Sequence, residues 1–108
     1  MIKNGVRLHG VSSQMFFAAT VVKDLWKEND YPFCITSGIE GKHALHSDHW
    51  KGMALDFRTW FNATGEQIGT ALKESLRKEL EKRLGEEFYI LMEGNHLHIS
   101  YRPLRIES

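Results

Sequence analysis

Apolar side chains recur along this chain with two different periods. Phe16, Phe17, Val21, Val22, Leu25 and Trp26 fall at three- and four-residue intervals and predict a helix with a broad apolar stripe. Ser12 or Ser13 can cap it, it is expected to run to about residue 28, and Tyr31-Pro32 is expected to stop it. Residues 33–37 and 53–59 read as short strands on either side of a long loop. Thr64 and Gln67 have capping-box spacing, which predicts a second helix to about residue 84. Its stripe is Ile68, Ala71, Leu72, Leu76, Leu80 and Leu84, and Gly85 is the expected stop. Residues 88–92 and 96–101 read as strands joined at Glu93-Gly94-Asn95, a hairpin. Helix, two strands, helix, two strands: the order predicts an α+β domain, with two main helices packed on a small, mainly antiparallel sheet.

At 108 residues the chain has room for one core, a single domain over residues 1–108. Fourteen basic and fourteen acidic side chains cancel, so neither nucleic acid nor an anionic membrane surface is an expected partner. The single cysteine, Cys34, excludes an intrachain disulfide and sits in the apolar run Phe33-Cys34-Ile35, where a buried inert thiol is expected. The first ten residues carry Lys3, Arg7 and His9 and no long apolar stretch, so no secretory signal and cytoplasmic synthesis are expected. No apolar run reaches the roughly 18 residues of a membrane span.

Histidine is what departs from an ordinary composition. Five of the six fall in two short windows, His43, His46 and His49 in one and His96 and His98 in the other. His49 and Asp56 would stand more than ~20 Å apart on extended chain, too far to share an ion. Gly52 between them lets the backbone turn and bring both to one point. Ala54 precedes Asp56 by two and shares its strand face, where a methyl leaves space for a metal. His96 and His98 alternate onto one face of another strand. Two imidazoles and one carboxylate make an open ligand set for Zn²⁺, with a fourth position for water. Surface loop histidines in the first window and an exposed strand pair in the second are the plain alternative.

The pattern Ser47-x-His49-x-x-Gly52-x-Ala54-x-Asp56, followed downstream by His96-x-His98, resembles the signature of a zinc peptidase superfamily. Its members include bacterial D-Ala-D-Ala carboxypeptidases and dipeptidases, phage L-Ala-D-Glu endolysins and the hedgehog signalling domain. Ile35-Thr36-Ser37-Gly38 is also similar to the strand and turn preceding that motif, so the resemblance covers roughly residues 33 to 101. It implies the hedgehog/DD-peptidase-like fold, a zinc cofactor and cleavage of peptide bonds in peptidoglycan stem peptides.

Carried over by position, the resemblance makes His49 and Asp56 zinc ligands and Ser47 a contact to bound peptide. His98-Ile99-Ser100-Tyr101 is similar to the sequence following the third ligand, which favours His98 for that role and places His96 beside the reacting group. The acidic catalytic residue of the family usually lies three positions before the ligand. Counted from His98 that position is Asn95, which takes no proton; counted from His96 it is Glu93, which does. Third ligand and base therefore remain linked alternatives. The stretch 37–42 lacks the arginine common in the family, with Lys42 or His43 as substitutes, and Arg58 could orient Asp56.

Metal-assisted hydrolysis would follow, with Glu93 as base and His96 as catalytic partner. Lack of a secretory signal fits a phage or prophage lytic enzyme released through a partner holin, or a cytosolic dipeptidase. A non-catalytic zinc-binding interaction domain, or a phage structural domain of the same fold, is the alternative function.

Overall fold

A computed structural model of the chain describes residues 2–38, 52–61 and 63–103. Two helices and four strands follow one another as α1 (Ser13–Glu28), β1 (Ile35–Ser37), β2 (Ala54–Arg58), α2 (Thr70–Leu84), β3 (Phe88–Met92) and β4 (His96–Tyr101). All strand pairs are antiparallel, in the spatial order β1-β2-β4-β3. The architecture is α+β, as the alternating periods predict.

Ser12 caps α1, its hydroxyl oxygen accepting from the Met15 amide at 3.3 Å. Met15, Ala18, Ala19, Val22, Leu25 and Trp26 form its buried face. Phe16 and Phe17, expected in the stripe, are instead about half exposed. The buried face is centred on Met15 and two alanines, whose small side chains let α1 lie close to the sheet. The helix ends at Glu28, as expected, ahead of Tyr31-Pro32. Asn29 caps it, Asp30 adopts a left-handed φ of 58°, and the Tyr31 amide returns to the Trp26 carbonyl at 2.8 Å.

The capping box expected for α2 does not form. The helix begins at Thr70, after Gly69 as N-cap with no side-chain cap bond. Thr64 instead accepts from the Glu66 amide at 3.2 Å, while the Gln67 side-chain oxygen takes bonds from Thr59 Oγ1 at 2.8 Å and Lys73 Nζ at 3.0 Å. Trp60 and Gln67 pair as an antiparallel bridge, and this extended pairing displaces the local helical start. Ala71 and Leu72 are consequently exposed, and the buried stripe of α2 is Leu76, Leu80 and Leu84. Gly85 closes the helix at φ 87°.

Strand alternation divides the sheet into two faces. Leu55 and Phe57 of β2, Ile90 of β3, and Leu97 and Ile99 of β4 join the helices in one core. Trp26, fully buried, donates its indole N–H to the Arg58 carbonyl at 3.2 Å and so ties α1 to the end of β2. The opposite face carries Ala54, Asp56 and Arg58 of β2 beside Ser100, His98 and His96 of β4. Gly52, just before β2, has φ 70°, and its carbonyl accepts from the Ser12 amide at 2.9 Å. A Cβ there would lie 2.1 Å from the Gly10 carbonyl oxygen, so only glycine permits this close approach of two backbones. Among the described residues, no helix is long and apolar enough to cross a membrane.

Candidate metal centre

Asp56 and His98 are direct partners in the β2–β4 ladder and point to the face away from the helices. Their side chains meet, His98 Nδ1 lying 2.8 Å from Asp56 Oδ1 although the residues are 42 positions apart in sequence. The contact is a hydrogen bond from the ring N–H to the carboxylate, strengthened to an ion pair when the imidazole is protonated. Both side chains retain about a fifth of their exposure, 17% for Asp56 and 20% for His98, so the pair is sheltered yet reachable.

These donor atoms fit a zinc ion with a small adjustment. Two ligand atoms on a tetrahedral zinc at ~2.0–2.1 Å stand roughly 3.3 Å apart, so the pair would open by about 0.5 Å and exchange the shared proton for the metal. Two donors do not make a site. Among the described residues no group of three or more histidine, cysteine or acidic side chains could hold an ion. His49 and Ser47, and the substitutes Lys42 and His43, lie outside the described residues.

Around the pair, several elements contribute polar groups. Ile35 pairs with Phe57 and Ser37 with Asp56, a two-against-one register that marks a bulge in β1. Both Thr36 and Ser37 line the adjoining cleft of about 250 Å³ together with Asp56. Arg58 is fixed at its backbone by the Cys34 carbonyl and the Trp26 indole, and its guanidinium stacks 4.1 Å over the Trp60 ring. Lys3 reaches the same cleft from the chain start, where Ile2 bridges Ile35 and the Lys3 amide donates to the Ile35 carbonyl at 2.9 Å.

His96 is set apart from His98 by its partner. Its Nδ1 lies 2.7 Å from Asn95 Oδ1 and therefore carries the proton of that bond, leaving Nε2 as the acceptor of the neutral ring. His96 and Asn95 both line the Asp56 cleft. Glu93 does not. It is exposed, on the other side of the hairpin turn, lining a separate groove with Lys73 and Glu74 of α2. Lys73 holds that turn by donating to the Gly94 carbonyl at 3.0 Å, and burial lowers its amine pKa.

The structure thus brings together Asp56, His98, His96 and Asn95 and puts Glu93 elsewhere. Lys3, Thr36 and Trp60 were not anticipated. Trp60 lies two residues beyond Arg58, so strand alternation carries a signal for it, whereas a bridge at the second residue leaves none for Lys3. No family model, curated protein or solved structure matches this chain.

Proposed function

We propose that this chain is a zinc-dependent peptidase of the D-Ala-D-Ala carboxypeptidase, L-Ala-D-Glu endolysin and hedgehog type, with the corresponding fold, acting on peptide bonds of peptidoglycan stem peptides. The observation that carries the proposal is the 2.8 Å meeting of Asp56 and His98. The motif resemblance nominates these two residues as ligands independently of any structure, and strand pairing then makes them neighbours. His49, Asp56 and His98 would hold the ion, with Ser47 contacting bound peptide. Zinc, when bound, lowers the pKa of a coordinated water toward ~7 and polarises a carbonyl.

The chain's own groups divide the remaining work. His96 lines the cleft; its Nε2 is the acceptor of the neutral ring and, once protonated, could donate to a developing oxyanion. Asn95 fixes the tautomer of His96 through Nδ1. The proton-accepting carboxylate is Glu93 by its spacing to His96, and this role requires the turn at Gly94 to carry it across from the α2 side. Release to the cell wall would go through a holin.

A second reading is favoured by one specific observation. Asn95, which accepts no proton at neutral pH, lies in the cleft where Glu93 would be needed. On that basis the domain is a non-catalytic zinc-binding module, an interaction or phage structural domain of the same fold. Digestion of purified peptidoglycan followed by mass analysis, with and without chelator, separates the two. Chelator-sensitive release of cleaved stem peptides is the enzyme's result; bound zinc without cleavage of any wall chemotype is the module's.

A further inference from the structure

We infer that the outer edge of β3 pairs with the same edge of a second copy of this chain, joining two four-stranded sheets across a two-fold axis. The strand order leaves two edges, β1 and β3. The β1 edge is covered by the chain's own start, where Ile2 bridges Ile35 in parallel and the Lys3 amide donates to the Ile35 carbonyl. Among the described residues the β3 edge has no such cover. Its sequence, Phe88-Tyr89-Ile90-Leu91-Met92, is apolar or aromatic throughout, and its regular pairing contains no bulge. It therefore lacks the lysine, proline or bulge that ordinarily keeps an edge strand single. Phe88, Ile90 and Met92 face the core, yet Tyr89 and Leu91 on the other side are apolar too and remain 42% and 37% exposed. An antiparallel sheet with one open face ordinarily carries polar residues there.

Backbone phase and side-chain pattern select one register. The Glu93 amide donates to the His96 carbonyl and the Arg102 amide to the Glu87 carbonyl, so alternate residues from Glu87 to Glu93 are the ones bonded to β4. Phe88, Ile90 and Met92 therefore turn their amides and carbonyls outward. Of these groups, among the described residues, only the Phe88 amide is engaged, by the Gly85 carbonyl at 3.4 Å. An antiparallel copy sets Ile90 against the partner's Ile90 and Met92 against the partner's Phe88, each pair exchanging backbone bonds. The same register stands Tyr89 across from the partner's Leu91 and Leu91 across from the partner's Tyr89, so every exposed apolar side chain of the edge gains a close neighbour. A shift by two residues would instead set Leu91 against the partner's Glu87, or Tyr89 against the partner's Glu93. The cost of the favoured register falls at its ends, where Glu87 faces the partner's Glu93, both exposed. Two joined backbones with these side chains covered bury on the order of 1,000 Å² in total, the lower bound for a specific dimer, so a Kd of about 10–300 μM is expected. The pairing consumes both β3 edges, and with the β1 edges covered the assembly closes at two copies. Leu91 is the ladder partner of His98, so the partner's Tyr89 would extend the open face beside the Asp56–His98 pair. The pairing itself needs neither metal nor peptidase activity.

The test is sedimentation velocity of the full chain, from concentrations about tenfold below that range to threefold above it, with amide hydrogen exchange followed by NMR over the same span. The chain is expected to pass from monomer to dimer. The Ile90 and Met92 amides should gain protection with the same concentration midpoint, while those of Tyr89 and Leu91, bonded to β4 in either state, should not change. Leu91→Lys puts a charge on the seam and should weaken association about tenfold or more. Tyr89→Lys serves the same purpose should Leu91→Lys fold poorly by circular dichroism. Glu87→Lys replaces a like-charged facing by an opposite one at both ends and should tighten the dimer about threefold or more. A chain that stays monomeric throughout overturns the inference, as does growth beyond two copies. So does a dimer in which the Ile90 and Met92 amides exchange as they do in the monomer. Wild-type association in a folded Lys variant at position 91 or 89, or no tightening by Glu87→Lys, overturns it equally.

Discussion

Alanine at position 52 would place a methyl carbon 2.1 Å from the Gly10 carbonyl oxygen and 3.1 Å from the Val11 Cα. Neither neighbour is a flexible side chain, so the two backbones must part by about 1 Å to restore van der Waals separation. The residue also has φ 70°, a conformation that costs an L-amino acid about 1–2 kcal/mol. Parting the backbones stretches the bond from the Ser12 amide to the Gly52 carbonyl, at a cost of about 0.5–1.5 kcal/mol. Ser12 is the N-cap of α1, so its movement disturbs the helix start as well. Together these give a loss of roughly 2–4 kcal/mol for Gly52→Ala, large against the few kcal/mol by which small domains are stable. Urea unfolding followed by circular dichroism should show a midpoint lower by about 1–2 M, taking m near 2 kcal/mol/M. Gly94→Ala is the matched control, with φ outside the left-handed region and nothing within 4 Å of the added carbon. It should stay within about 0.5 kcal/mol of wild type. A Gly52→Ala midpoint indistinguishable from that of Gly94→Ala would refute the close-approach reasoning.

Leu97→Ala, on β4 between the two histidines and fully buried, should cost about 2–5 kcal/mol in urea unfolding while leaving an Asp56–His98 pair detectable by NMR in the folded fraction. The Glu28 carboxyl is held below its ordinary pKa by hydrogen bonds from Arg83, which join the ends of α1 and α2 at 2.8 Å. A depressed carboxyl stabilises the fold above its unfolded pKa and loses that contribution as pH falls through the folded value, so Glu28→Gln should flatten the acid limb of a stability–pH curve measured between pH 6 and 3. On the peptidase proposal, His98→Ala should abolish zinc retention on dialysis and His96→Ala should retain it, as measured by elemental analysis; the reverse pattern would assign the third ligand to His96. Glu93→Gln should keep zinc and lower muropeptide turnover by ~10²–10⁴, and unchanged turnover would remove Glu93 from the proton transfer.

Some of this was legible in the residues because one physical rule governed them. Period-two alternation put His96 and His98 on one face and Leu97 and Ile99 on the other, and the β3–β4 hairpin formed over the expected residues. Gly52 was expected to turn the chain, and its positive φ agrees; its contact with Gly10 was invisible because it joins segments about 40 residues apart. Where two rules competed, the local one lost. Thr64 and Gln67 satisfy a capping box, yet Gln67 pairs with Trp60 and takes bonds from Thr59 and Lys73 that no helix start could offer. Phe16 and Phe17 fit a stripe by spacing, but three-residue tolerance in that pattern cannot tell which edge of a helix the sheet covers. At the candidate site, Asp56 and His98 were nominated by type and motif, whereas their distance depended on β2 pairing with β4 in one register. Glu93 and Asn95 stand on either side of Gly94 in the hairpin turn and line different grooves, a separation that spacing along the chain does not record.

The most direct test of the central claim is a crystal structure of the purified chain grown with zinc, with diffraction recorded on both sides of the zinc absorption edge. The account predicts one anomalous peak per chain, bonded to Asp56 and to a nitrogen of His98 at ~2.0–2.2 Å, with His49 completing the protein ligands. An anomalous map without a peak there, with Asp56 and His98 still hydrogen-bonded to each other, would contradict it.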